Sequence, residues 1–581
     1  MGVRTPEAAR VIETPRQLGP PLTAALGLAV LLWAALLSNG RPIGAGDTRA
    51  TERVAASLVQ EGDFTLDEYP EIEDPFARNQ GGHRVSIYPV FSAVLASPIF
   101  FISRFLFVLD ENGTAWAGKL SASLFSALAA GTLFLAVGCR RPQADATWTA
   151  VLFALGTSVW STSQGLWQHP AAVLSLAVAL LFVTKAEDDA VWAGRAGLPL
   201  ACALAARHAD LALVGVLALG VLVRWPGAIP RFLLWAAPPA LFVLGYNASV
   251  FGSPVDHGFS GALGRFSAPW GIGHLGLLLS PAKGLLVFTP LVLLGIVGLA
   301  RAYRRGERWL AITLGGAVAG HWLLTGRWSE WHGGESWGPR LMTDALPLLF
   351  LLLPEGLDLL PRLGRVLALL SVFVQGLGAF AYDYRWERLY QRAEAAGREL
   401  WEPARSPILF YAQRRVLWLA LPGLRDGKLV VREHPLVLLG PQGSRVRFGG
   451  EGAKLSGTDS TLGDVFLERG ARVEGDRLRL KGRWSGLFLR VLPHARTRVL
   501  ELRIAGRGQG PLYVSERSFW VPPRFTTHTM SGTFVIRSRY VYAESGGPDL
   551  SITLGRGGGE ASLEWVALVA PSDPLAPIER P

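Results

Sequence analysis

Three stretches hold the side chains best suited to chemistry. GAGDTRATERVAASLVQEGDF (44–64) sets Asp47 and Arg49 just past an apolar run that ends near Leu37. GRWSEWHGGESWGPRLMTDALP (326–347) sets Arg327, Glu330, His332, Glu335, Trp337 and Arg340 just before another apolar run. GGHRVSIYPVF (81–91) adds His83, Arg84 and Tyr88, and SPAKG (280–284) adds Lys283. A carboxylate at a membrane surface can accept a proton. An Arg at a helix start on the lipid boundary is costly unless it is paired or meets an anion, and its planar fork fits phosphate oxygens.

Each of these residues also has a plainer reading. Gly44 and Gly46 let the backbone turn tightly, and a helix starting near Thr48 makes Asp47 an N-cap candidate. Asp63 reads as a solvated acid at a turn. Arg340 can snorkel to the interface. Trp328, Trp331 and Trp337 can form an aromatic belt, while His169, His208 and His257 read as interfacial polar residues.

The elements that position these residues are membrane helices. Hydrophobic residues make up 50% of the chain and charged ones only 18%, against about a quarter charged in soluble domains. Apolar runs recur at 22–37, 116–137, 148–163, 171–184, 198–223, 232–246, 285–299, 310–324, 341–353 and 366–380. The first run has no small-residue cleavage site after it and reads as an anchor. The net charge of +11 points to basic cytoplasmic loops before nucleic acid. Cys139 and Cys202 lie in or beside spans and give no disulfide framework.

Arg4, Arg10 and Arg16 place the N-terminal arm in the cytoplasm. Pro89 and Pro98 interrupt IYPVFSAVLASPIFFISRFLFVL, which reads as an interfacial or re-entrant element. The basic turns CRRPQ, RAYRRGER and PRLGR then all fall inside. The stretch 193–225 becomes a pair of spans that meet near Arg207, His208 and Asp210. The expectation is an α-helical polytopic protein of about 11 transmembrane helices, with most polar, aromatic and His residues on the outer side.

The tail changes period. In RVLELRI, Leu500, Leu502 and Ile504 share one face while Glu501 and Arg503 point away. Short alternating runs between Gly and Pro turns predict a C-terminal extracytoplasmic β-sandwich. Trp484, Tyr513, Phe519, Trp520, Tyr540, Tyr542 and Trp565 could serve its core or a glycan surface. The expected organisation is an arm at 1–21, a transmembrane domain at 22–382, a linker with short helices at 383–428, the β domain at 429–571 and a tail at 572–581.

In order and sidedness, the motifs GDTRATERVAASLVQEGDF, HRVSIYPVFSAVLASP, FGSPVDHGF, GLLLSPAKGLLVFTPLVLLGIVGL and WHGGESWGPRLMTDALPLL resemble the polytopic glycosyltransferases of the C superfamily (GT-C). These include protein-mannosyltransferase-like and lipid A aminoarabinose transferase-like enzymes. The resemblance spans residues 20–420. It implies a GT-C-like fold in a bacterial inner membrane and transfer of a sugar from a polyprenyl-phosphate carrier to a hydroxyl of a lipid, glycan or protein acceptor.

On that resemblance, Asp47 is the general base. The family often has a second acid beside it, where this chain has Thr48. The departing phosphate needs cations or donors: Arg340 first, then Lys283, with His83 and His332 assisting. Arg49, Tyr88 and Trp337 are expected substrate or lipid contacts. Glu335 is the candidate ligand for a divalent metal cation. Membrane lipids are partners and nucleic acid is not. The rival readings are a transporter or flippase of lipid-linked sugars, and a membrane scaffold displaying a glycan-binding β domain.

An odd number of crossings before the tail puts the C-terminus outside. A C-terminal reporter active only in the cytoplasm should therefore be silent, and a bright one would reverse the sidedness of every loop named above.

Overall fold

The computed structural model describes residues 21–70, 72, 75–259, 262–384, 386–387 and 400–414, and the strands between 416 and 569 given below. The basic arm, the aromatic residues Trp484, Phe519, Trp520 and Tyr542, and the tail at 572–581 lie outside the described residues. The chain divides into two compact units, residues 1–38 with 42–410, and residues 39–41 with 411–581.

The first unit is helical. α1 (Leu22–Leu37) is followed by α2 (Gly46–Gln60), the hairpin β1 (Ala77–Gln80) and β2 (His83–Ser86), and α3 (Phe91–Leu106). Then come α4 (Glu111–Gly138), α5 (Gln143–Leu155), α6 (Ser158–Thr162) and α7 (Gln168–Ala186). α8 (Val191–Arg195) and α9 (Gly197–Ala206) lead through the turn His208–Asp210 into α10 (Leu211–Arg224), the expected meeting of two helices. α11 (Ile229–Phe251), α12 (Ile272–Leu279), α13 (Leu285–Phe288), α14 (Val292–Arg304) and α15 (Arg308–Thr325) follow. The unit continues with α16 (Leu346–Phe350), α17 (Leu353–Leu359), α18 (Pro361–Phe380) and α19 (Pro407–Arg414), the last crossing its boundary.

Among the described residues, four helices are long and apolar enough to cross a membrane by length and composition: 111–138, 168–186, 226–251 and 361–380. Several expected spans are instead built from shorter pieces. The 285–299 run breaks at Thr289–Pro290 between α13 and α14, and the 341–353 run divides into a 3-10 turn, α16 and the start of α17. Proline lacks the N–H that would continue the ladder. Leu22, Val30, Leu31, Leu233, Leu234 and Leu241 are exposed on α1 and α11, the face that lipid can solvate.

α4 has 28 residues, about 42 Å of helix, and its two ends carry different charge chemistry. At its C-terminal end Arg140 pairs with Glu307, and Arg141 pairs with Asp145 at 2.9 Å and Asp358 at 2.8 Å. Arg301 Nη1 donates to Glu355 O at 2.6 Å. The turns CRRPQ and RAYRRGER thus meet at one end of the bundle, as the parity argument expects. At its N-terminal end, Glu111 faces Arg49 of α2 at 3.6 Å.

α14 and α17 pack at backbone contact. A Cβ on Gly298 would lie 1.9 Å from Leu352 O, and one on Gly356 would lie 2.0 Å from Leu294 O. Small residues let helices approach this closely where hydrophobic burial gives no drive between them.

The second unit is antiparallel β. Its hairpin β3 (Val416–Arg425) and β4 (Lys428–Val437) falls where a helical linker was expected, so strands begin before Leu429. VLWLALPGLR has no period-two alternation and contains Pro422, which hid the strand; a two-stranded ribbon, all edge, tolerates that proline. The remaining strands form a ten-stranded sheet: β5 (Ser444–Gly449), β6 (Gly452–Ser456), β7 (Leu462–Leu467), β8 (Ala471–Glu474), β9 (Arg477–Lys481) and β10 (Gly486–Val491), then β11 (Val499–Ser518), β12 (Val521–Val541), β13 (Asp549–Leu554) and β14 (Glu560–Val569). β11 pairs along one edge with β12. Along the other it pairs first with β14 and then, from Leu512, with β13. Leu502 and Ile504 are buried with Leu478, Leu480, Ile552 and Leu563, so the alternating face reads correctly.

Replacing Gly298 by Leu should lower the thermal midpoint of the detergent-solubilised protein by an amount equivalent to at least ~1–3 kcal/mol, since α14 and α17 must separate. Gly315→Leu on α15, where the nearest atom to a new Cβ is Leu299 Cδ1 at 4.0 Å, serves as the control and should change little.

Candidate active site

α2 begins at Gly46, and the local chemistry explains why Asp47 is available there. Thr48, not Asp47, makes the main cap: its hydroxyl accepts from Ala45 N at 3.0 Å and donates to Ala45 O at 2.9 Å. Gly46 is needed for close approach, because a Cβ there would lie 2.3 Å from the ring of Phe76. Neither Gly44 nor Gly46 has positive φ, so their role is packing and not a left-handed turn.

The Asp47 carboxylate is 5% exposed. Its Oδ1 accepts from Trp167 Nε1 at 3.0 Å and from Thr48 N at 3.1 Å. Its Oδ2 is paired with Arg340 Nη1. The Arg340 guanidinium lies 5.9 Å from the Trp167 ring centroid, and its Nε is buried without a hydrogen-bond partner. The first and last of the sequence motifs therefore meet at one carboxylate–guanidinium pair. Burial, and then the Asp47 charge, push the Tyr88 hydroxyl above its ordinary range. Tyr88 thus stands near the same pair. It also lines a small cavity of about 20 Å³, little more than a water's worth of room, with Phe91, His208, Phe242, Tyr246 and His257.

Other expected site residues are committed elsewhere. Lys283 is buried; its Nζ meets Glu387 at 3.2 Å and donates to Gly334 O at 3.1 Å and to Ser336 O. Burial lowers its ammonium pKa, and Glu387 opposes that. It holds the loop before Arg340 and does not offer a free charge to a phosphate. His83 is exposed and bonds Asp67 at 2.7 Å, which raises the pKa of its ring. His332 accepts from Gly334 N at 3.2 Å. Burial and the charges of Lys283 and Arg340 push it down to about 4, so at neutral pH it is uncharged.

Arg49 is exposed beside Glu111. Trp337 is buried between Phe288 and Tyr382, at 5.2 and 5.6 Å between ring centroids, and so forms core and not belt. Asp63 accepts from Ser57 at 2.7 Å and from Thr65 N at 2.9 Å. Burial raises its pKa, but these bonds outweigh that and hold it low. It closes a turn, as its plainer reading expected. Glu335 is half-buried, and among the described residues no group of three His, Cys or carboxylate ligands includes it.

Sequence reasoning missed three features. Trp167, in GLWQHP, is the donor on Asp47. Glu52, one α2 turn further on, is buried and accepts from Leu166 N at 3.2 Å; both acids of α2 thus hold the segment before α7. His169, set down as interfacial, is buried and meets Asp344 Oδ2 at 2.8 Å. Arg207 Nη1 meets the same oxygen at 2.8 Å and Asp210 Oδ1 at 2.6 Å. The available signal was the acid in LMTDALP, only four residues after Arg340.

No family model matches the sequence, and no curated protein does. In fold it is similar to the crystal structure of ArnT from Cupriavidus metallidurans in the apo state, with a TM-score of 0.40, 16% identity, and 68% of this chain and 67% of that one covered. At that identity and TM-score no activity passes from one chain to the other.

Burial pushes the Glu52 carboxyl up to about 7, opposed by the Leu166 N–H and then by the charges of Arg49 and Arg53. Its folded pKa lies above the unfolded value, so the folded state binds more protons between about pH 4.5 and 7 and loses stability as pH rises through that window. Glu52→Gln keeps the acceptor for Leu166 and removes the charge. It should stabilise the protein at pH 8, by on the order of 3 kcal/mol, and do nothing below pH 4.5. Equal melting shifts at pH 8 and pH 5 would place Glu52 in water.

Proposed function

We propose that this chain is an integral membrane glycosyltransferase of GT-C type. It moves a sugar from a polyprenyl-phosphate carrier to a hydroxyl of a lipid, glycan or protein acceptor on the outer face of a bacterial inner membrane. The observation that carries this reading is the buried Asp47–Arg340 pair, formed by the two motifs that the family resemblance singles out. The helical unit is the membrane-embedded transferase, and the antiparallel C-terminal unit is read as an extracytoplasmic β-sandwich.

The chemistry follows from the pair. In the resting enzyme Asp47 neutralises Arg340. A carrier phosphate entering beside Arg340 competes for the guanidinium, whose Nε has no hydrogen-bond partner to give up. Asp47 Oδ2 is then released to accept the acceptor's hydroxyl proton while Trp167 keeps Oδ1 in place. The acceptor oxygen bonds the anomeric carbon and the bond from that carbon to the phosphate oxygen breaks. The electron pair leaves on polyprenyl phosphate, with Arg340 against its charge. Trp167, bonded to Asp47 and set beside the Arg340 guanidinium, orients the pair.

Asp47→Asn keeps the size and one acceptor oxygen, enough for Trp167 and Thr48 N, but replaces the oxygen facing Arg340 by an amide NH2 and loses basicity. With prenyl-phosphate sugar donors it should bind donor and lose turnover by roughly 10²-fold or more, while Asp63→Asn has a mild effect. Full turnover in a folded Asp47→Asn protein would remove the base from this site.

Arg340→Ala should weaken donor binding more than Arg340→Lys, because only the former loses the charge. Donor affinity unchanged in Arg340→Ala would dissociate the clamp from the pair.

A further inference from the structure

Asp210, His321 and Asp344 come from three separated segments: the turn between α9 and α10, the last part of α15, and the 3-10 turn Arg340–Ala345. All three are fully buried. One ligand atom from each can be chosen so that all three lie within 4.8 Å of one another. The acids' other bonds leave particular atoms facing inward. Arg207 Nη1 takes Asp210 Oδ1 and Asp344 Oδ2, and His169 Nδ1 also meets Asp344 Oδ2. Asp210 Oδ2 and Asp344 Oδ1 are buried with no hydrogen-bond partner.

His321 completes the set. Its Nε2 lies 2.8 Å from Leu341 O. A carbonyl only accepts, so Nε2 carries a proton, and in the neutral ring Nδ1 presents a lone pair. That Nδ1 is 3.7 Å from Asp210 Oδ1, is buried and has no hydrogen-bond partner. Three electron-pair donors thus face one another without a donor between them. With a neutral imidazole and both acids ionised, two carboxylates against the single Arg207 guanidinium leave one net negative charge in a buried site, which is costly without a cation or a proton.

We propose that Asp210, His321 and Asp344 bind one divalent ion of the zinc class. One imidazole with two carboxylates is a ligand set such ions take, and three protein ligands leave a fourth position for water. Metal–ligand bonds of about 2.0–2.2 Å put tetrahedral ligands about 3.3–3.6 Å apart, a small contraction from the spacing seen. The surroundings match an outer shell: Arg207 and His169 hold the carboxylate oxygens, and the Leu341 carbonyl fixes the imidazole tautomer. With a bound hydroxide the ion, acids and Arg207 sum to neutrality. The site is separate from Asp47 and stands whether or not the chain transfers sugar.

The test uses the full-length protein, purified in detergent without chelator. Elemental analysis should find about one equivalent of zinc-class metal. Stripped protein titrated with Co²⁺ should give visible d–d absorption of a tetrahedral site. Asp210→Asn and His321→Gln should weaken metal binding at least ~10-fold, while Glu335→Gln and His332→Gln retain it. His321→Cys should add thiolate-to-cobalt charge-transfer absorption, a readout that a misfolded variant would not give. Metal-free protein that stays monodisperse and gives no cobalt spectrum would overturn the site and leave one proton shared between Asp210 and Asp344. Metal lost in Glu335→Gln but kept in His321→Gln would equally overturn it.

Discussion

The Asp47–Arg340 pair joins residues 293 positions apart and is largely withdrawn from water. Neither side chain can be left alone there: removing one partner of a buried pair costs about 3–5 kcal/mol, because the other charge stays buried. The surrounding structure reads as the means of keeping the two together. Thr48 caps α2 so that Asp47 points inward, Gly46 admits the ring of Phe76, and Trp167 fixes one carboxylate oxygen. On the other side Lys283 grips the carbonyls of Gly334 and Ser336, which sets the loop that ends at Arg340.

Charge in the helical unit is divided between the two ends of α4. One end is held by arginine pairs at partly exposed positions. The end that carries Arg340 has acids and bases removed from solvent and in contact with several partners each, as at Asp344 and Glu387. Exposed pairs of the first kind contribute little. Buried groups of the second kind are expensive to keep and mark chemistry more often than stability.

Much of this was legible in the sequence, because residue type and the order of motifs survive without coordinates. Asp47 and Arg340 stood out as an acid and an arginine at apolar boundaries, the meeting of α9 and α10 near Asp210 followed from parity, and the alternating face of RVLELRI named buried Leu502 and Ile504. What could not be read was partnership. Lys283 and His83 looked like free cations, yet their charges are taken up by Glu387 and Asp67. Trp167 and His169 stand at the start of α7, in a short stretch between apolar runs without a motif of its own. The 383–428 segment looked like a linker because buried Trp386 and Glu387 sit in a polar stretch that has no periodicity.

That segment bears on where the helical unit ends. Glu387 neutralises Lys283, and Leu400 O accepts from Ser280 Oγ at 2.6 Å, so chain beyond α18 reaches back to clasp the loop at 280–283. The helices alone are therefore not a self-sufficient module. A shortened chain that stops after α18 would keep every expected membrane helix yet strand the Lys283 ammonium in a dry interior, loosening the support beneath Arg340. Evolutionary exchange of the C-terminal β unit between such proteins would be tolerated only with a crossover after residue 400, so the seam for recombination lies well past the last membrane helix.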